Sequence, residues 1–399
     1  MTGEKSSPFN ATPSALGYLY QFRYALLATV RRLRDDPDFE ISIETLDDVV
    51  FESAGQPSAI LQTKHHQAHA ASLSDASPDL WKTLRIWSGL VTDVGVPGDA
   101  TLFLVTTSIA AEGHAASYLR AAQRDAKKAL ERLRAAAQTS TNKDNVAAYS
   151  AFKALSERRQ ELLIKAITVI DGAPDIAKAH DDLARELRFS APSDHVGSFL
   201  ERLEGWWFGR TVRALRDAAS RPILAQEVDD TISLLREQFK TDNLPIDDNI
   251  RAAVIDPAAY ADHVFVKQLN LFEASGKRIF IAMREYFRAF EQRSRWMRED
   301  LLLVGELDRY EQRLVEEWEI HFTSVRDELG DKATEVEMRK AASSLYAWVE
   351  TQAAFPIRAA CTEPFVTRGS YHILADRRHV GWHPEFKERL RALLDEGST

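Results

Sequence analysis

Strand-forming sequence is concentrated before residue 110, and this limits the folds open to the chain. The segment "FEISIETLDDVVFE" (39–52) is β-branched and alternating, and it reads as one long strand or two short ones. The turn sequence "SAGQPS" follows, and "AILQTKHH" (59–66) is the expected hairpin partner. "ATLFLVTTS" (100–108) is a continuous apolar run of the kind buried on both faces of a sheet. Two amphipathic helices interleave with these strands. "SALGYLYQFRYALLATVRRL" (14–33) carries Leu16, Leu19, Phe22, Leu26 and Val30 at helical spacing. "SPDLWKTLRIWSGLV" (77–91) is capped near Ser77 and turns Leu80, Leu84 and Trp87 inward. The order is helix, two or three strands, helix, strand.

From about residue 115 the composition shifts to Ala, Arg, Lys, Glu and Leu, and helices are expected almost throughout. One further short strand is expected within "ELLIKAITVIDGAPD" (161–175). With 399 residues, two or three domains are expected. The division proposed is 1–225, with a core at about 14–110, and a helical domain at 226–399. The formal net charge of −9 argues against a permanent, chain-wide nucleic-acid interface, so any DNA contact should be local or regulated. Cys361 is the single cysteine, which excludes a CxxC zinc module and an internal disulfide framework. No signal-type apolar segment opens the sequence and none is long enough for a membrane span, so a cytoplasmic protein is expected.

The chemistry concentrates where the second strand ends. Gln62 and Lys64 share a strand face because side chains alternate. Glu44, Asp47 and Asp48 precede them, and a carboxylate on a neighbouring strand can join them at about 5 Å. Read as one strand, 44–51 puts Glu44 and Asp48 on one face and Asp47 on the other with Ile43, Val49 and Phe51. This favours Asp48, and a bulge would reverse it. Oxygen ligands with a nearby ammonium suit phosphodiester hydrolysis. They hold Mg²⁺ or Mn²⁺, and the ammonium offsets charge growing on the phosphate.

Asp48…Gln62-x-Lys64 in this element order resembles the PD-(D/E)xK nuclease superfamily in its QxK form. "GYLYQ", "ETLDDV", "LQTKHH" and "DLWKTLRIW" are similar to the endonuclease domain of CBASS effectors that degrade double-stranded DNA, a domain shared with the nuclease subunit of Lamassu anti-phage systems. "ELDRYEQRLVEEWEIHF" (306–322) and "GSYHILADRRHVGWHPEF" (369–386) resemble the C-terminal domain of effectors in ABC-three-component systems.

The resemblance implies an α+β fold. A restriction-endonuclease-like mixed sheet flanked by helices would precede a mostly α-helical C-terminal domain. It also implies a Mg²⁺- or Mn²⁺-dependent double-stranded DNA endonuclease. The metal ligands would be Asp48 and Gln62 with help from Glu44, the catalytic lysine Lys64, and an outer ligand Gln21. The implied partners are an SMC-like ATPase and a small accessory subunit that hold the nuclease inactive, and release would let it self-assemble as a homo-oligomer, a tetramer when active. Gln62 stands where the superfamily more often has Glu, which keeps a catalytically inactive adaptor as the rival.

Other features have plainer readings. His65 and His66 point opposite ways on a strand, so phosphate contact or packing is preferred over a zinc site for them and His69. His379 and His383 are expected in a loop with a structural or interface role. In 276–299 the core stripe is expected to be Ile279, Met283, Phe287 and Phe290, with solvated arginines, and partner docking is the second reading. Trp206 and Trp207 are expected in a core. The basic helix over 116–138 would be solvated or line a DNA path. Leu307, Tyr310, Leu314 and Trp318 form a stripe suited to a helical partner or to their own domain.

Overall fold

A computed structural model describes residues 12–43, 48–65, 72–217, 222–330 and 332–396. The chain divides into two compact units, Met1–Leu234 and Leu235–Thr399. The division falls inside one helix, later than the boundary expected at 225.

In the first unit the elements run α1 (Thr12–Arg32), β1 (Glu40–Ile43), β2 (Asp48–Ser53), β3 (Gln56–Lys64), β4 (Ser72–Leu73), α2 (Pro78–Ser88), β5 (Thr101–Thr106) and β6 (Ile109–Ala110). There follow α3 (Ala126–Thr139), α4 (Val146–Ala154), α5 (Glu157–Ala166), β7 (Ile167–Ile170), α6 (Ile176–Glu186), α7 (Val196–Arg216), β8 (Ile223–Leu224) and α8 (Ala225–Gln238). The main sheet has the order β7-β5-β3-β2-β1-β8, and β4 pairs with β6 separately. β2 and β3 are antiparallel, and β3, β5 and β7 are parallel, so the sheet is mixed. An α+β architecture with a mixed sheet therefore holds.

The hairpin between β2 and β3 turns on Ala54 and Gly55, both at positive φ (52° and 72°), the geometry that matches strand twist in a two-residue loop. Segment 39–52 is two strands. β1 runs antiparallel to β2 with Ile43 paired to Val49. The chain thus reverses between Ile43 and Asp48, and the alternation argument across 44–48, which assumed one strand, does not hold.

Each sheet face has its own cover. Val50, Ile60, Leu102, Leu104, Ile167 and Val169 join Leu80, Trp81, Leu84 and Trp87 of α2 and the apolar sides of α3–α5 in one core. On the other face α1 meets the sheet: the Arg32 guanidinium lies 4.7 Å from the centre of the Phe39 ring and 5.6 Å from that of Phe51. Burying about six large apolar side chains on one face contributes roughly 1.5–3 kcal/mol each before entropy is counted.

The expected helix over 116–138 is interrupted. A short 3₁₀ turn at Ser117–Leu119 precedes α3, which begins after Asp125, whose carboxylate accepts from the Lys128 N–H. Of the tryptophan pair, Trp207 is buried, whereas Trp206 is half-buried and Phe208 is exposed. Consecutive helical residues point about 100° apart and cannot all face one core.

The second unit holds α9 (Asp248–Arg251), α10 (Val264–Asn270), α11 (Gly276–Arg298), α12 (Glu306–Leu329), α13 (Glu335–Thr351), α14 (Pro364–Asp376) and α15 (Phe386–Glu396). α11 and α14 pack closely because Gly369 has no side chain: a Cβ there would run into the Glu285 carbonyl and the Ala289 methyl. Gly381 likewise lies against the Phe386 ring. Tyr310, Leu314 and Trp318 are buried within this unit. The Tyr310 hydroxyl donates to Thr367 Oγ1 (3.4 Å), and Trp318 Nε1 donates to the Gly381 carbonyl (2.9 Å). That stripe is spent on its own domain and is not a partner surface.

Candidate active site at the end of the central hairpin

Gln62 is fully buried at 0 % exposure, and neither its amide oxygen nor its amide nitrogen has a hydrogen-bond partner among the described residues. The register places it opposite Asp48 of β2 on one side and Leu104 of β5 on the other. Ile60, two residues earlier on the strand, belongs to the core beneath α2. An unpartnered buried amide costs about 1–3 kcal/mol, so a sequence that keeps one here has a use for it or supplies a ligand to satisfy it.

Lys64, two residues on, pairs in register with Thr106 and is half-buried, and its carbonyl accepts from the Thr107 N–H (3.2 Å). Gln62 and Lys64 therefore occupy alternate positions of one strand, as the spacing required. The four expected site positions are not equally visible. The backbone of Asp48 begins β2, Glu44 and Asp47 lie outside the described residues, and so do His66 and His69. Among the described residues no group of three or more His, Cys, Asp or Glu side chains is gathered as a metal site.

His65 leaves the strand towards the α1 side, where its ring lies 4.9 Å from that of Tyr20. It is not on the Gln62–Lys64 face. The Tyr20 hydroxyl is buried without a partner among the described residues, and burial, then the neighbouring Tyr24 and Asp175, raises its pKa. Its neighbour Gln21 is buried, and its Nε2 too lacks a partner among the described residues.

Two polar groups near this sheet were not singled out from the sequence. Thr83 is fully buried with an unpartnered hydroxyl among the described residues, and it shares the helical face of Leu80, Leu84 and Trp87. The signal was a threonine interrupting an otherwise apolar i, i+3, i+4, i+7 stripe. Asp75 is the second. Its carboxylate accepts from the Ala115 N–H (2.6 Å) and pairs with Arg132 (3.1 Å) and His114 (3.1 Å), and its carbonyl accepts from Trp81 Nε1 (2.7 Å). This fixes the start of α2 over the sheet.

The basic residues of 120–134 are largely spent on the fold. Arg120 pairs with Asp171 (2.7 Å), and Arg124 donates to the Lys165 carbonyl (2.8 Å). Burial would raise the Asp171 carboxyl, but the Arg120 pair and the Ala110 N–H outweigh it and hold it below the usual range. These residues do not form an open cationic track. Lys127 and Lys128 are exposed, and Lys128 pairs with Asp125 (3.4 Å).

His379 and His383 of the second unit sit in different surroundings. His379 is exposed in the turn after α14. His383 is buried, its Nδ1 accepts from the Glu385 N–H (3.1 Å), and burial then Arg389 lowers its pKa. Arg293 of α11 is buried and bonds Ser370 Oγ (3.1 Å) and the Glu311 carboxylate. Arg278 pairs with Glu350 (2.6 Å) and Arg295 with Asp247 (2.9 Å). The expected solvated arginines of α11 are in part internal ties. Its core stripe runs through Ala282, Met283, Tyr286, Ala289 and Trp296, while Phe290 is exposed.

No described helix is long and apolar enough to cross a membrane. No curated protein matches the chain. Among solved structures, the Acinetobacter baumannii Cap4 SAVED/CARF-domain containing receptor matches with 14% identity and a TM-score of 0.31 over 56% of this chain. The chain spans 48% of that receptor's length. The Moraxella osloensis Cap4 SAVED/CARF-domain containing receptor matches with 12% identity and a TM-score of 0.35, over 69% of this chain and 68% of its own. Residues 265–390 match the family model for C-terminal domain 7 of the ABC-three component (ABC-3C) systems, which supports membership of the chain in such anti-phage defence systems.

Proposed function

We propose that the protein is a metal-dependent double-stranded DNA endonuclease acting as the effector of an ABC-three-component system of Lamassu type. Its first unit would carry a PD-(D/E)xK-like site, with Asp48 and Gln62 as metal ligands, Glu44 assisting and Lys64 as the catalytic lysine. The observation that carries this reading is the unpartnered, buried Gln62 amide in register with Asp48. An amide oxygen opposite a carboxylate-bearing residue in the register suits a hard divalent cation, and the orphaned amide is what an oxygen ligand looks like without its ion. Mg²⁺ or Mn²⁺, when bound, supplies Lewis-acid polarisation of the scissile phosphate. The chain's own groups do the rest. The α2 core keeps water from one side of Gln62, and the Lys64 ammonium, one strand repeat further out, offsets charge that grows on the phosphate.

The second unit would dock an SMC-like ATPase and a small accessory subunit that keep the nuclease quiet, and release would allow assembly into a tetramer. A catalytically inactive adaptor is the second reading. It is favoured by the position of the family match, which lies wholly in the C-terminal unit. Plasmid cleavage with Mg²⁺ or with a chelator separates the two when Asp48→Asn and Asp47→Asn are compared. The nuclease reading expects metal-dependent cleavage that Asp48→Asn removes and Asp47→Asn largely keeps. The opposite order would assign the ligand to Asp47, absent cleavage would leave the adaptor, and metal-independent cleavage would remove the metal site.

A further inference from the structure

α11 has a second apolar face. Phe280, Phe290 and Met297 are 39 %, 45 % and 52 % exposed, and Phe287 between them is half-buried. At 100° per residue these four fall within one arc of about 100°, which adjoins Tyr286 at one edge and turns away from Ala282, Ala289 and Trp296. Phe280, Phe287, Phe290 and Met297 step by seven, three and seven, the a and d spacing of a coiled-coil seam, and Met283 on the same arc is buried. Exposed large hydrophobics scattered singly need no explanation, but a seam along one helix does.

One edge of this seam is cationic. Lys277, Arg284, Arg288 and Arg298 lie along it, with Glu291 the single acid. The other arginines of α11 are tied to Glu350, Glu311 and Asp247, whereas Lys277, Arg284 and Arg298 form no ion pair among the described residues. The Nε atoms of Arg284 and Arg288 are buried without acceptors among the described residues, and the Arg288 guanidinium reaches only the Arg251 carbonyl.

We propose that the outer face of α11 is a docking groove for an amphipathic helix of a partner protein, one with an apolar seam bordered along one edge by Asp and Glu. The aromatic seam supplies the buried area, and the one-sided cationic edge sets partner choice and orientation, as charges flanking a seam do in helical pairs. The inference rests on the docking role proposed for the second unit, not on the nuclease site.

The test uses the full-length protein and two labelled helix-forming peptides. Both carry leucines at the seam positions, one with glutamates along the adjoining edge and one with lysines. Fluorescence anisotropy should show saturable binding of the acidic peptide with a preference of about tenfold or more over the basic one. Phe290→Ser, an exposed position, should weaken it by about tenfold. Arg284→Glu combined with Arg298→Glu should reverse the preference. Equal binding of the two peptides, or acidic binding untouched by Phe290→Ser, overturns the proposal. Self-association lost in Phe290→Ser by sedimentation assigns the face to a second copy and overturns it too, as does displacement of the peptide by duplex DNA. Pull-down with the SMC-like subunit separates the two levels. Wild type failing to bind it removes the docking reading, whereas binding unchanged in Phe290→Ser removes only this face.

Discussion

Replacing Gln62 by methionine should stabilise the protein while abolishing its cleavage. Gln62 is fully buried, and both polar atoms of its amide lack a partner among the described residues. Leaving such a group unsatisfied costs about 1–3 kcal/mol, whereas an apolar chain of similar length fits between Ile60 and the register neighbour Leu104 at little cost. The variant should gain about 1–3 kcal/mol. At about 2–4 °C per kcal/mol for a unit of this size, its melting temperature in metal-free buffer should rise by several degrees. Saturating Mg²⁺ should invert the comparison. A ligand at a thousandfold excess over its Kd stabilises its binder by about 4.1 kcal/mol, and only the wild type keeps the full ligand set. Differential scanning fluorimetry with a chelator and with Mg²⁺ reads both effects, alongside plasmid cleavage. A Gln62→Met protein that melts below wild type in the chelator would show the amide to be satisfied, and the ligand argument would go with it.

Three further outcomes follow. Gly369→Ala should destabilise the second unit by at least about 1–3 kcal/mol, measured by urea denaturation, because its methyl would meet the Glu285 carbonyl where α14 crosses α11. His372 is buried among Phe265, Tyr346 and Trp382, and burial, then Arg368, pushes its pKa down to about 3. It is neutral when folded and protonates more readily unfolded, so stability should be full above about pH 6.5 and fall as pH drops towards 3, and His372→Phe should flatten that slope. The Arg389 and Arg339 bonds hold Glu335 at about 2. Its contribution should therefore be present above pH 4.5 and fade as pH falls towards 2, and Glu335→Gln should lose that acid dependence.

Much of the sheet was legible because strand signals are local. β3, β5 and the hairpin turn at Gly55 follow from β-branched runs and turn residues. The reversal between Ile43 and Asp48 was left open, because "ISIETLDDVV" reads equally as one strand or as two. The inward face of α2 was readable from Leu80, Leu84 and Trp87, but the orphaned Thr83 within it emerged only from packing. α11 was misread in detail. Periodicity marked Phe290 as core, yet the contact with α14 selects the arc of Ala282 and Ala289, where Gly369 of α14 lets the two helices approach. Phe290 is left outside. Salt bridges such as Arg120–Asp171 join residues far apart in sequence, and no local pattern announces them. The adjacency of Gln62 and Lys64 was the most local feature of the site and the most legible, whereas pairing with Asp48 needed the register.

The most direct test of the nuclease assignment is the cleavage rate of a folded Lys64→Ala protein on plasmid DNA with Mg²⁺. Lys64 lies at the half-buried end of β3, so circular dichroism and melting temperature should match wild type. If its ammonium offsets charge in the transition state, cleavage should fall by about two to three orders of magnitude. Cleavage at the wild-type rate by the folded variant would contradict the assignment of phosphodiester hydrolysis to this site.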